Sequence, residues 1–527
     1  MSEDWRRTAK PAPSVRFKTC SQVIWQSSLC VAKQCPSQSG GRMSSSVIVW
    51  FRDDLRINDN PALLAAIETG LPVLALYILD EANEGIRPLG RASKWWLHHS
   101  LASLTENLAD HGIDLALLKG AASTLIAELA TKLQPSAIFW NRRYGKAERD
   151  IDSKIKADCL ASGVDAKSFN GALLYEPWEV TTKTGDPMKV FTPFWRAAQA
   201  LMAPALPRPL PTKKISTFKP PSSLNSLSLK DLSLLPKRDW AKHFPETWSP
   251  GEQGAQEKLD NFFESAFSGY AEGRNRPDYR STSLLAPHLR FGEISIRDVF
   301  QRAGEAANLN PKISDADLRS FRSELGWREF SNHLLFHNPA LASENYNRTF
   351  DAFPWADNSP ALHAWQRGLT GYPIVDAGMR ELWQTGFMHN RVRMIVASFL
   401  IKHLLIDWRF GENWFWDTLL DADPANNAAS WQWVAGSGAD AAPYYRIFNP
   451  MLQGEKFDPD GTYVRKYVPE LAALRAPAIH TPWLASPADL RAANVSLGKT
   501  YPLPIVDHAA ARERALGAFK ALKQGKS

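Results

Sequence analysis

An α/β domain followed by an all-α domain is the fold class this sequence predicts: a Rossmann-like N-terminal half with a parallel five-stranded sheet, a long connector, and a C-terminal half made of helices. Three observations predict it. From Ser46 to about residue 175, short apolar runs alternate with amphipathic segments, the pattern of βα units wound around a parallel sheet. Prolines then crowd residues 203–250, as in "PALPRPLP", with no apolar periodicity between them. From Gly251 onward, strand-like runs are missing and helical spacing recurs.

The strands are read at 46–51 (SVIVWF), 71–79 (LPVLALYIL), 114–120 (DLALLKG) and 136–141 (SAIFWN), with a weaker fifth at 165–170 (DAKSFN). Their unbroken apolar character marks strands covered on both faces. Asn60–Pro61 caps the first helix and supplies its first turn. The segment "ASKWWLHHSLASLTENLADHG" ends on a glycine stop signal. No G-x-G-x-x-G turn follows the first strand, so phosphate binding of the usual dinucleotide kind is not expected there. In the second half, Ser314 and Asp317 read as a capping box, and "MHNRVRMIVASFLIKHLLIDW" holds helical spacing through Val392, Ile395, Val396 and Phe399. The division expected is an extension over 1–45, an α/β domain over 46–175, a connector over 176–250, a helical domain over 251–510 and a tail over 511–527.

At 44% hydrophobic and 22% charged, the 527-residue chain has an ordinary globular composition, and no run of 18 apolar residues marks a membrane span. Its net charge of +7 is uneven. Residues 1–46 hold seven Lys/Arg and two Asp/Glu, leaving the body about +2, so a polyanion partner requires a local basic groove. Three of the four cysteines, Cys20, Cys30 and Cys35, lie in that leading segment. One remaining thiol, Cys159, excludes a disulfide framework, an all-cysteine zinc site and an iron–sulfur cluster in the body, and fits a reducing compartment. The leading segment reads as upstream sequence before a start at Met43, as a targeting peptide, or as a plain extension.

The chemistry concentrates late in the chain. Asp421 and Asp423 open a stretch, "NNAASWQWVAGSGADAAPYYRIFNP", that joins amides, large rings and a small-residue loop. Acids suit ribose hydroxyls or ring N–H groups, amides suit a flat heterocycle, and tryptophans suit stacking on bases. Glu324 and Trp327 share one helix face in "SELGWREF", an arrangement that also serves as a surface Trp beside a solvated Glu. Asn390, Arg393 and Met394 fall within one turn, and Arg393 suits a pairing with Asp421 or Asp423, structural or functional. Thr282 and Ser283 precede a helix start, which suits phosphate but also suits an ordinary cap. The composition describes a pocket for a large planar cofactor beside a site for nucleobases.

The segments "VIVWFRDDLRINDNPAL", "TSLLAPHL", "WREF", "TGYPIVDAGMRELW", "MHNRVRMIVASFLIKHLLIDWR" and "NNAASWQWVAGSGADAAPYYRIFNP…QGEKFD" together resemble the DNA photolyase/cryptochrome family over residues 46–510. The loop form is most similar to the bacterial cyclobutane-dimer branch near plant cryptochromes. The resemblance implies FAD folded into the helical domain, an antenna chromophore, usually methenyltetrahydrofolate, in the α/β domain, and DNA carrying pyrimidine dimers as partner. It implies that light-excited reduced flavin lends an electron to a flipped-out dimer, which splits and returns it. It implies a cytoplasmic monomer, with no membrane and no metal.

Carried over by residue, the resemblance places Tyr270, Thr282, Ser283, Leu284, Leu285 and Ala286 at the FAD phosphates, with Ala286 where a serine is often found. Arg328, Arg393, Asp421 and Asp423 join the cofactor set, and Asn427 faces flavin N5. Glu324, Trp327, Asn390, Met394 and Trp433 line the dimer pocket, with Glu324, Asn427 and Trp433 as the catalytic set, while Arg274 and Gln453 touch the strand. Trp431, Trp408 and Trp355 carry electrons inward. Trp95, Trp96 and Asn141 stand as neighbours for the antenna, or as simple packing.

Two other readings share the fold: a signalling cryptochrome and a six-four photolyase. Plant cryptochromes generally place an acid where this chain has Asn427, and that acid protonates N5. The six-four branch resembles a histidine pair where this chain has His389 and Asn390.

Overall fold

The computed structural model describes residues 46–201, 205–211, 215–237, 239–441 and 445–524. The leading segment, and Tyr444 of the late loop, lie outside the described residues.

Five parallel strands form the sheet: β1 (Val47–Phe51), β2 (Val73–Leu79), β3 (Leu115–Lys119), β4 (Ala137–Asn141) and β5 (Asp165–Phe169), in the order β3-β2-β1-β4-β5. Every residue of β1, β2 and β4 is buried, which is why these strands read as unbroken apolar runs. Edge strand β5 is partly exposed and carries Asp165 and Lys167, so its signal was weaker. Helices α1 (Pro61–Glu68), α2 (Arg91–Ala109), α3 (Ala122–Leu133) and α4 (Lys146–Ala161) complete the layers. Asn60 caps α1 by accepting from the Leu63 N–H at 3.1 Å. Gly112, at φ +73°, closes the chain after α2, three residues beyond its last helical position.

The connector contains a helix, α5 (Phe191–Ala200). Its Phe191 ring stacks on Trp327 at 3.7 Å and 9°, and its Trp195 lies flat on Gly326, where a Cβ would meet the indole at 2.6 Å. The long Asp315–His337 helix carries Gly326 and Trp327 and opens on the expected Ser314/Asp317 capping box. Asp317 also accepts from the N–H groups of Gly269 and Ala271, fixing the short Tyr270–Gly273 helix against it. Among the described residues no strand follows Phe169, and no helix is long and apolar enough to cross a membrane.

The segment after Asn390 differs from a single long helix. Asn390–Ser398 is α-helical, Phe399–His403 widens into a π turn, and Leu405 at φ +55° ends it. The widened turn sends Lys402 inward to the carbonyl of Ala435 at 2.7 Å, and so ties down the end of the Asn426–Ala435 helix. The C-terminal helix, His508–Gln524, docks on the same turn, with Arg514 donating to the His403 carbonyl at 2.6 Å.

Polar pairs join the α/β and helical halves. Arg290 binds Asp53 at 3.0 Å, and Arg87 grips both oxygens of Glu412 at 2.7 and 2.9 Å. Gly292, at φ +64°, lies so close to the Asp53–Asp54 backbone that a Cβ there would stand 2.2 Å from a carbonyl oxygen.

Candidate flavin and nucleobase site

The two acids do different work. Asp423 Oδ1 accepts from the N–H groups of Ala425 and Asn426 at 2.9 and 2.7 Å, so it shapes the start of the Asn426–Ala435 helix. Asp421 Oδ2 accepts from Arg393 Nη2 at 2.8 Å, while its buried Oδ1 has no partner among the described residues. Arg393 is itself oriented by the Met388 carbonyl at 2.7 Å. Between the acids, the Ala422 carbonyl accepts from Arg290 Nε at 2.8 Å. Arg290 thereby links the acid stretch, the Ala286–Arg290 turn and Asp53, a role that sequence spacing does not reveal.

Asn427 is buried. Its Nδ2 donates to Glu412 Oε1 at 2.8 Å and to the Glu412 carbonyl at 3.0 Å. Glu412 was missed in the sequence, fifteen positions before Asn427 and on another helix.

Before the Ala286–Arg290 turn, Thr282 and Ser283 are half-buried and Leu285 is buried. Leu284 sits at φ +55°, a left-handed conformation unfavourable for a branched side chain. Ala286 is exposed. Tyr270 is buried against Phe262 and Phe321, and burial, with the Glu324 charge second, pushes its hydroxyl pKa up.

On the other side, Glu324 is not solvated alone: Arg274 Nη1 stands 2.5 Å from its Oε1, and a second contact joins Arg274 to Ser320 Oγ at 3.3 Å. One face of Trp327 is already covered by Phe191. Asn390 is exposed and Met394 half-buried. Arg391 lies between them, donating to Asn275 Oδ1 at 2.5 Å and resting 4.4 Å from the Phe457 ring. Burial first, then the charges of Arg274 and Arg446, lowers the Arg391 pKa. Three guanidiniums therefore gather here, around a body near neutrality overall. Gln453 is half-buried on the Pro450–Phe457 helix that carries Phe457. Trp433 donates to the Asp440 carbonyl at 3.0 Å and lines a small, partly open cavity of about 40 Å³ with Ser398, Lys402 and Tyr445.

Trp431 is buried against Gly411, where a Cβ would stand 2.1 Å from its ring. Trp408 is buried with its Nε1 on Asn345 at 2.9 Å, and Trp355 is half-buried on Phe353. All three pack into or against one apolar cluster, and burial lessens from Trp431 and Trp408 to Trp355. The rings nearest Trp431 are Phe415 at 5.0 Å and Trp365 at 6.2 Å, neither singled out by sequence.

Arg328 donates to the Ala172 carbonyl at 2.7 Å beside Glu329, which accepts from the Leu174 and Tyr175 N–H groups. That group seals the junction below β5. Trp95, Trp96 and Asn141 are all buried in the protein's own packing. Trp96 donates to Glu293 at 2.9 Å, Trp95 meets Phe244 edge-on at 5.2 Å, and Asn141 donates to Asp54 at 2.6 Å. These contacts are those of simple packing, one of the two readings that the sequence left open.

A parallel α/β layer, joined by a wrapped connector to a helical half that carries the Arg393–Asp421 pair and the buried Asn427, defines a class of two-part protein, and comparison with known proteins names it. Residues 47–212 match the family model "DNA photolyase", and residues 321–521 match "FAD binding domain of DNA photolyase". The chain is 53% identical to the deoxyribodipyrimidine photo-lyase of Agrobacterium fabrum, over 91% of this chain and 99% of that one. It is 39% identical to cryptochrome-1 of Arabidopsis thaliana, over 90% of this chain and 70% of that one. The crystal structure of a bacterial class III photolyase from Agrobacterium tumefaciens superposes with a TM-score of 0.87 at 52% identity, covering 93% of this chain and all of that one. The chain belongs to the DNA photolyase/cryptochrome family.

Proposed function

We propose that this protein is a light-driven deoxyribodipyrimidine photolyase that splits cyclobutane pyrimidine dimers with FAD held in its helical half. One observation carries the choice of repair over signalling: residue 427 is an amide, buried and pinned by Glu412, where plant cryptochromes generally carry an acid. The relatives named photo-lyase support the same reading.

The residues present fit the cofactor. Asp421 has a buried oxygen that lacks a donor, Arg393 fixes the other, and the segment Thr282–Leu285 offers hydroxyls and backbone N–H groups to phosphates. When bound there, reduced flavin supplies one electron on absorbing light and recovers it afterwards. Asn427 has no ionisable proton to give, so it orients the flavin edge without protonating it. Glu324 accepts hydrogen bonds from the dimer, Trp327 and Trp433 wall it, and Asn390 and Met394 complete the pocket. Arg274, Arg391 and Gln453 meet the strand, and the Arg391 side chain adds to the set read from sequence. Trp431, Trp408 and Trp355 form the inside-to-surface series that brings electrons inward.

The antenna is a folate, bound away from Trp95, Trp96 and Asn141. The working divisions are 46–175, 176–250 and 251–510, and the protein acts in the cytoplasm as a monomer on DNA. Heat-released chromophore from the purified protein tests the cofactor assignment, with FAD and a folate expected. Dimer-selective DNA binding tests the substrate, and release of neither chromophore, with no preference for dimers, would overturn the reading.

A further inference from the structure

The Arg274–Glu324 ion pair joins two residues with different duties under the repair reading, on which this inference rests. One meets the strand and the other meets the lesion. They are nonetheless partners here at 2.5 Å, each about a quarter exposed. Among the described residues Arg274 pairs with no other carboxylate, and its remaining side-chain hydrogen bond, to Ser320, is long. Arg391 makes no ion pair among the described residues, and it disfavours a further positive charge beside it.

We infer that this pair sets lesion specificity. A strand phosphate that draws Arg274 away leaves Glu324 as a half-buried carboxylate without a cation. Undamaged DNA keeps its bases stacked and offers nothing in return. A flipped dimer places imide N–H donors into the pocket, and these replace the lost guanidinium. The same phosphate contact is thus favoured when a dimer is present and disfavoured when it is absent, which is discrimination by an unpaired charge against the wrong partner. Arg274 acts here as a specificity-determining residue through Glu324.

A double-mutant cycle on the flavin-loaded protein tests this, using matched oligonucleotides with and without a single thymine dimer, in the dark at one fixed ionic strength. Glu324→Gln frees Arg274. It should tighten binding to undamaged DNA by about two- to five-fold, the range of a half-exposed ion pair, while weakening binding to dimer DNA. In an Arg274→Gln background, Glu324→Gln should leave undamaged binding unchanged. Arg274→Lys should restore the wild-type response, since an ammonium keeps both the pair and the phosphate contact. Equal tightening with and without Arg274 would show a general charge effect and overturn the inference, as would no tightening at all. Wild-type protein that fails to prefer dimer DNA would instead overturn the repair reading, and the two failures are told apart by that single control.

Discussion

Arg393 and Asp421 meet at 2.8 Å through one carboxylate oxygen, and the other oxygen of Asp421 is buried with no donor among the described residues. An ionised oxygen in that state is costly unless a ligand supplies the missing hydrogen bond. Asp421→Ala should therefore lose flavin. A charge-assisted hydrogen bond of about 1.5–3 kcal/mol corresponds to roughly ten- to a hundred-fold weaker retention. Flavin fluorescence released on dialysis measures it, and a variant that stays fully yellow contradicts the role.

Asn427 and Glu412 predict a redox phenotype. Asn427→Asp puts a titratable proton where the amide has none, next to the Glu412 carboxylate. Under light with a reductant, the variant's flavin should stop after one electron, whereas the parent continues to two. Absorption spectra during illumination count the electrons. A parent protein that itself stops at one would favour the cryptochrome reading.

The tryptophan series predicts a separation of two activities. Trp408→Phe should slow light-driven reduction of oxidised flavin at least ten-fold, about 1.4 kcal/mol or more of added barrier, and leave repair unchanged once flavin is reduced chemically. Equal loss in both assays would mean that Trp408, whose Nε1 holds Asn345, serves the fold alone.

His333 predicts an acid-labile connector. Its Nε2 accepts from the Met188 N–H at 3.0 Å, so Nδ1 carries the proton donated to the Pro177 carbonyl at 2.9 Å. Burial, then His337, holds its pKa down to about 4. The unfolded chain takes up a second proton, on Nε2, near the ordinary histidine value, so stability is full above about pH 6.5 and falls as pH drops toward 4, by up to about 3 kcal/mol. His333→Gln should flatten the denaturant midpoint across that window, and an unchanged slope would refute the assignment.

Much of this was legible in the chain. Strands β1, β2 and β4 are covered on both faces, so their apolar runs had no other reading, and Asn60 and the Ser314/Asp317 box marked helix starts by side-chain chemistry alone. Arg393 was expected to meet Asp421 or Asp423, and it meets Asp421. What was hidden depends on distance along the chain or on backbone state. The break at Leu405 lies inside regular apolar spacing, and Glu412 reaches Asn427 from a separate helix. Arg274 finds Glu324 fifty positions away. Trp95 and Trp96 stayed open between antenna and packing because an indole in a sequence does not say which of its faces is covered.

The central claim is tested most directly by the dimer content of an ultraviolet-irradiated oligonucleotide incubated with the purified, chemically reduced protein, under blue light and in darkness. The account predicts that dimers disappear in the light with intact pyrimidines restored, that none disappear in the dark, and that Glu324→Ala lowers the yield per absorbed photon. Dimers that persist equally in both conditions, with flavin bound and reduced, would contradict it.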